Sequence, residues 1–223
     1  MKYKSTLSRI VELQAHTVVR QLTDTQEEYE WLENLIETTK PKPLSLQKKH
    51  YLIATPFRYP LPIPPLFEAR FRPAFFERNA FYGTQEDRTS YYEYAYHWML
   101  QRVHIKNLSQ IPEPRSLFHV NFEDKNCTDI RKTDNIGKIM DRHDYGASHA
   151  FVKEQTKLSS ILYPSCRDPQ GGNCLVTFEP ETLGDQPIDM TGLFLIYFTK
   201  TKTCQIENPM TCAKLIIHWQ EIS

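Results

Sequence analysis

The chain has 223 residues, with 27 Lys and Arg balanced by 27 Asp and Glu, 40% hydrophobic residues, and 15 Pro against only 7 Gly. A globular chain of this size buries roughly 70% of the surface its unfolded form exposes, so neither disulfides nor a structural metal is needed to hold it. Zero net charge excludes a nucleic-acid binder that works through a broad cationic face, and no run approaches the roughly 20 apolar residues of a membrane span. The five cysteines, Cys127, Cys166, Cys174, Cys204 and Cys212, are odd in number and never spaced as CxxC. A reduced, cytoplasmic protein without a metal site is the expectation.

In chain order, Leu7, Ile10, Val11, Val18, Val19 and Leu22 recur close to helical spacing and predict a helix over 6–22. Asp24 followed by Glu27 reads as a capping box that opens a second helix, with Tyr29, Leu32, Leu35 and Ile36 as its buried stripe. Lys40-Pro41-Lys42-Pro43 stops it, which makes residues 1–45 a helical hairpin ahead of a main domain over 46–223. From Pro56 to Pro73 six prolines and Arg58, Arg70 and Arg72 form a stiffened, extended loop carrying three cations. Composition alone reads this loop equally as a binding segment or as a linker.

Farther on, Ala80-Phe81-Tyr82 reads as a short strand and 90–101 as a helix with Tyr92, Ala95, Tyr96, Met99 and Leu100 on its apolar side. Residues 116–122, 174–178, 193–199 and 215–219 are strand candidates. Helices first and strands late predict an α+β fold with a mixed or antiparallel sheet, since regular βαβ alternation is missing. There is no GxGxxG, GxxxxGK[ST], HExxH or GxSxG motif, so a nucleotide would have to be held by side chains.

Four segments carry chemistry: Thr55-Pro56-Phe57-Arg58-Tyr59; Ala69-Arg70-Phe71-Arg72-Pro73; Phe81-Tyr82-Gly83 followed by Thr89-Ser90-Tyr91-Tyr92-Glu93; and Tyr163-Pro164-Ser165-Cys166-Arg167 with Gly171-Gly172-Asn173. In this order and spacing they resemble the RES domain, the toxin half of RES-Xre toxin-antitoxin pairs. The resemblance runs from the YLIATPFRYP segment to Phe178, and the N-terminal extension resembles that of one branch of the family. It implies a fold similar to ADP-ribosyltransferases and cleavage of the nicotinamide–ribose bond of NAD+, with water or inorganic phosphate as acceptor. It also implies an Xre-type antitoxin as partner, within a homo-oligomer or a toxin-antitoxin hetero-oligomer. By the same resemblance Arg58, Tyr82, Glu93 and Ser165 are the catalytic set, and Tyr59, Arg70, Arg72 and Asn173 the substrate-binding set. Ala69 departs from the family, which often has glycine there.

These residue types suit that chemistry on their own terms. Nicotinamide leaves neutral through an oxocarbenium-like state, which a carboxylate such as Glu93 stabilises. A diphosphate is best gripped by paired arginines, for which Arg58 and Arg70 are candidates, and the Tyr82 ring can stack on nicotinamide beside a glycine. Ser165 has no histidine base next to it, which points to orientation of substrate or of Glu93. His97, four residues on, shares the Glu93 face. Taken singly each signal has a plainer reading: Ser90-x-x-Glu93 as a capping box, Tyr82 as a strand aromatic, the arginines as surface cations and Ser165 as a turn residue. Two other functions stay open, an ADP-ribosyltransferase acting on a macromolecule and a catalytically silent binding module on the same fold.

Overall fold

The computed structural model describes residues 1–12, 24, 25, 27, 28, 31, 32, 35, 46, 48–106, 108, 110–155 and 157–223. Its elements are β1 (Tyr3–Glu12), α1 (Tyr51–Ala54), β2 (Phe81–Thr84), α2 (Asp87–Leu100), β3 (Glu113–Asp124), β4 (Cys127–Asp129) and α3 (Ile136–Ile139). They continue as α4 (Gly146–Glu154), β5 (Ser160–Pro164), β6 (Asn173–Thr177), β7 (Asp189–Phe198), β8 (Thr203–Glu207), β9 (Lys214–His218) and α5 (Trp219–Ile222). The strands form one nine-stranded sheet in the order β4-β5-β6-β2-β1-β3-β7-β8-β9. Every pairing is antiparallel except β4 with β5, so the sheet is mixed and the fold α+β as expected.

The N-terminal helical hairpin is not what forms. Residues 3–12 are a strand, and it lies in the middle of the sheet, paired to β3 from Tyr3 with Asp124 to Glu12 with Arg115. The physical reason is burial on both faces. Leu7 packs with Phe81, Phe118 and Val120 on one side, and Ile10 packs with Tyr92, Leu117 and Leu195 on the other. A strand covered twice loses the apolar–polar alternation that betrays a half-buried one, and apolar residues at 7, 10 and 11 then imitate a helical stripe. Val18, Val19, Leu22, Tyr29 and Ile36, on which the hairpin also rested, lie outside the described residues. Among the described residues of the second predicted helix, Glu27, Glu28, Trp31, Leu32 and Leu35 are helical, with Leu32 half-buried and Leu35 exposed. The capping box sits one residue later than read: the Glu28 carboxylate accepts from the Thr25 amide at 3.2 Å, and the Thr25 hydroxyl accepts from the Glu28 amide at 3.2 Å.

Later elements follow the sequence more closely. The expected strands coincide with β2, the centre of β3, β6, β7 and β9. Helix α2 starts at Asp87, three residues before the capping box suggested. Ser90 caps nothing: its hydroxyl shares a 2.6 Å hydrogen bond with that of Thr84, buried between α2 and β2. The buried side of α2 is Tyr92, Ala95, Trp98 and Met99, whereas Leu100 is exposed. No described helix is long and apolar enough to cross a membrane.

Candidate functional site

β1 and β2 share a single residue pair, Ser8 with Thr84. Gly83 permits that contact, since a Cβ there would meet the Leu7 Cβ at 3.1 Å and the Ser8 carbonyl oxygen at 3.4 Å. No further pair joins the two strands toward Ile10 and Tyr82, and a cleft of about 370 Å³ is lined by both together with α2. Arg9 bridges the opening: its Nη1 donates to the Tyr82 carbonyl at 2.7 Å while its guanidinium lies 4.7 Å from the Phe81 ring centre.

Glu93 projects into this cleft from the second turn of α2. The Ser165 hydroxyl donates to its carboxylate at 2.5 Å, and the Cys174 thiol does so at 3.5 Å. Ser165 is itself fixed, because its oxygen accepts from the Arg167 and Asp168 amides at 3.1 and 3.0 Å. Its own amide donates to the Gly172 carbonyl at 2.7 Å. That loop is held against α2 by Asp168, which pairs with Arg88 and accepts from the Thr89 hydroxyl at 2.8 Å. Glycine is required at 172, since a Cβ would fall 1.7 Å from the Thr89 hydroxyl oxygen, and at 171, where φ is +76°.

Burial governs the neighbouring ionisable groups. It pushes the Cys174 thiol and the Tyr163 hydroxyl well above their ordinary range, and the negative charge of Glu93 adds to both shifts. Both therefore stay neutral at pH 7, leaving Glu93 without a thiolate competitor. Burial likewise lowers His97, against the pull of Glu93 and with the push of Arg167 and Arg70. The Arg9 guanidinium is lowered to about 10, first by burial. The Tyr82 hydroxyl is buried with the Phe71 amide near but outside hydrogen-bonding geometry; burial raises it to about 12 against the charges of Arg72 and Arg70.

The residues expected from sequence divide into two groups. Glu93, Tyr82 and Arg70 line the cleft, and Ser165 touches Glu93 from behind it. Arg70 is anchored, with one guanidinium nitrogen donating to the Ile139 carbonyl at 3.0 Å, another to the Cys166 sulfur at 3.2 Å, and its plane 4.6 Å from the Tyr145 ring centre. Tyr59 lines an adjoining cleft of about 340 Å³, and Arg72 lies over the Tyr59 ring at 5.6 Å while donating to the Phe67 carbonyl at 2.6 Å. Arg58 closes the 3-10 turn Thr55–Phe57 and lines neither cleft. The Asn173 amide donates to Glu86 at 3.0 Å and its side-chain oxygen accepts from Arg131 at 3.3 Å, so its side chain serves the end of β6.

Among the cleft residues to which the sequence reading gave no role are Arg9, Tyr145 and Arg167. Arg9 sat in a segment read as a helix, although a lone arginine inside the run Leu7-Ser8-Arg9-Ile10 is itself a signal. Tyr145 gave no signal. Arg167 stood in a quoted segment without a role; its guanidinium is buried, 3.4 Å from the Tyr96 ring centre, and donates to the Ile222 and Arg142 carbonyls at 2.7 and 2.5 Å. No group of three or more His, Cys, Asp or Glu side chains suited to a metal occurs among the described residues.

The family model for the RES domain matches residues 42–195. A search of curated protein sequences found no match. Among solved structures, the chain is similar to one described as the crystal structure of the M. tuberculosis MbcT-MbcA toxin-antitoxin complex. The identity is 11% and the TM-score 0.47, over 86% of this chain and 86% of that chain.

Proposed function

Because the chain belongs to the RES-domain family, we propose that it consumes NAD+ by breaking the nicotinamide–ribose bond, and that it is the toxin of a pair restrained by a cognate, Xre-type antitoxin. The observation that carries this reading is the Glu93 carboxylate, oriented by the Ser165 hydroxyl at 2.5 Å inside a cleft whose walls are mainly apolar. As nicotinamide departs neutral, positive charge spreads over the ribose carbon and ring oxygen, and a fixed carboxylate in a low-dielectric site stabilises it strongly. Ser165 and Cys174 hold that carboxylate in one orientation, so little reorganisation accompanies the reaction. The Tyr82 ring supplies a flat wall for nicotinamide, and Arg70 and Arg9 supply cations for the diphosphate. Water or inorganic phosphate then takes the ribosyl carbon, giving ADP-ribose or its 1-phosphate.

Purified protein free of antitoxin is incubated with NAD+, with and without phosphate, and nicotinamide and the ribosyl product are separated chromatographically. Nicotinamide release that falls at least about a hundredfold in Glu93→Gln, with the fold retained, is the expected result. Intact NAD+ under both conditions with natively folded wild-type protein would refute the proposal. Appearance of the 1-phosphate only when phosphate is present identifies a phosphorylase, and ADP-ribose in both identifies a hydrolase.

A further inference from the structure

The cleft that holds Glu93 does not end at His97. The adjoining cleft of about 340 Å³ shares Arg9, Ile10, Tyr94 and His97 with it, so the two are compartments of one groove. Helix α2 runs along both: Glu93 belongs to the first compartment, Trp98 and Gln101 to the second, and Tyr94 and His97 to each. Glu93 and Gln101 stand roughly 12 Å apart along the helix axis at about 1.5 Å per residue. A ligand that fills such a groove spans both compartments and passes the shared residues Arg9, Ile10, Tyr94 and His97.

Resting on the NAD+ reading above, we infer that the second compartment is the subsite for the adenosine half of the dinucleotide, with the adenine ring against Tyr59. The Tyr59 ring is fixed by Phe67, at 5.8 Å between ring centres, and by the Arg72 guanidinium lying over it at 5.6 Å. It nonetheless remains 40% exposed, which leaves aromatic surface for a base. Around it the compartment joins the apolar side chains of Leu52 and Pro56 to a rim that carries Glu12 and Gln101, whose oxygens accept hydrogen bonds. Adenine has the matching character, an apolar face with an amino group at its edge. Between the compartments sits Arg9, whose Nε is buried and makes no hydrogen bond among the described residues. Arg9 lines both compartments, and a cation at the partition is where the diphosphate link would cross.

The test compares NAD+ with nicotinamide mononucleotide, which has the scissile bond but lacks the adenylate half. Wild-type protein should prefer NAD+ in kcat/KM, and AMP should inhibit competitively. In Tyr59→Ala the preference should shrink about tenfold or more and AMP inhibition should weaken in parallel, with a smaller loss of both in Gln101→Ala. Both side chains are exposed, so the variants should fold, and circular dichroism checks that they do. Equal wild-type use of the two substrates, or a preference and AMP inhibition unchanged in both variants, would overturn the subsite while leaving NAD+ cleavage standing. Absence of NAD+ cleavage by wild-type protein would overturn both.

Discussion

Gly172→Ala is a small change that should cost both stability and turnover. The new Cβ would lie 1.7 Å from the Thr89 hydroxyl oxygen, 2.8 Å from the Thr89 Cβ and 2.9 Å from its Cγ2. Rotating Thr89 cannot clear all three, because one is its Cβ. Gly172 has no left-handed φ, so the obstacle is steric alone. Thr89 is fully buried, hence the loop must lift, and with it go the Thr89–Asp168 hydrogen bond and the carbonyl that accepts from the Ser165 amide. Overpacking of this kind costs about 1–3 kcal/mol and a lost buried hydrogen bond about 1 kcal/mol more. For a chain of this length the sum lowers Tm by roughly 5–15 °C. Thermal unfolding followed by circular dichroism reads the first effect, and NAD+ turnover at a temperature where the variant stays folded reads the second, since Ser165 is pulled from Glu93. Adding Thr89→Ala removes the 1.7 and 2.9 Å contacts and should restore part of the stability beyond the sum of the single changes. A Gly172→Ala protein that melts within about 2 °C of wild type and turns over normally would refute the account of how the loop seats Ser165.

Two further outcomes follow from the fold. Leu7→Ala should destabilise by about 2–5 kcal/mol in urea unfolding, because Leu7 is fully buried in a central strand; a loss under about 0.5 kcal/mol, as for a surface position, would contradict the placement of β1. His119 lies between Asp87, at 2.6 Å, and Asp189; burial lowers its pKa, but the two aspartates outweigh it and hold it above the ordinary histidine value. A group raised on folding stabilises fully below its unfolded pKa of about 6.5, and that contribution fades as pH rises through the folded value. The stability advantage of wild type over His119→Ala, from urea titrations between about pH 5.5 and 8.5, should therefore be largest at the acid end, and an advantage that grows with pH would count against it.

The parts of the fold legible in the sequence are those whose burial is one-sided or whose length is short. Strands β6, β7 and β9 declared themselves by β-branched and aromatic runs of strand length, and α2 by its buried Tyr92, Ala95 and Met99. β1 was illegible for the opposite reason: with Leu7 on one core and Ile10 on another, its pattern lost the period of two. β8 was overlooked between the two strands it joins, its Cys204 and Ile206 separated by a polar Gln205. In the candidate site, Glu93 and Ser165 were named through the resemblance of their segments to the RES domain, and the capping-box reading of Ser90-x-x-Glu93 gives way, since the helix opens at Asp87 and Glu93 accepts from Ser165. Arg9 was lost together with its strand. No local pattern announces a cation that reaches the cleft only because β1 is threaded beside β2.

That threading also sets an order of events during synthesis. β1 is near the beginning of the chain, yet its long partner is β3, and the register that joins them closes at Tyr3 with Asp124. The intervening chain must be looped out before the two can meet, which is entropically costly and slow compared with forming a local hairpin. Until β3 has been made, β1 has no full-length neighbour, and the cleft has neither a second wall nor Arg9 in position. A ribosome-bound fragment that carries Arg58, Arg70, Tyr82 and Glu93 but stops short of Glu113 thus holds these side chains without the strand that seats β1 and, with it, Arg9.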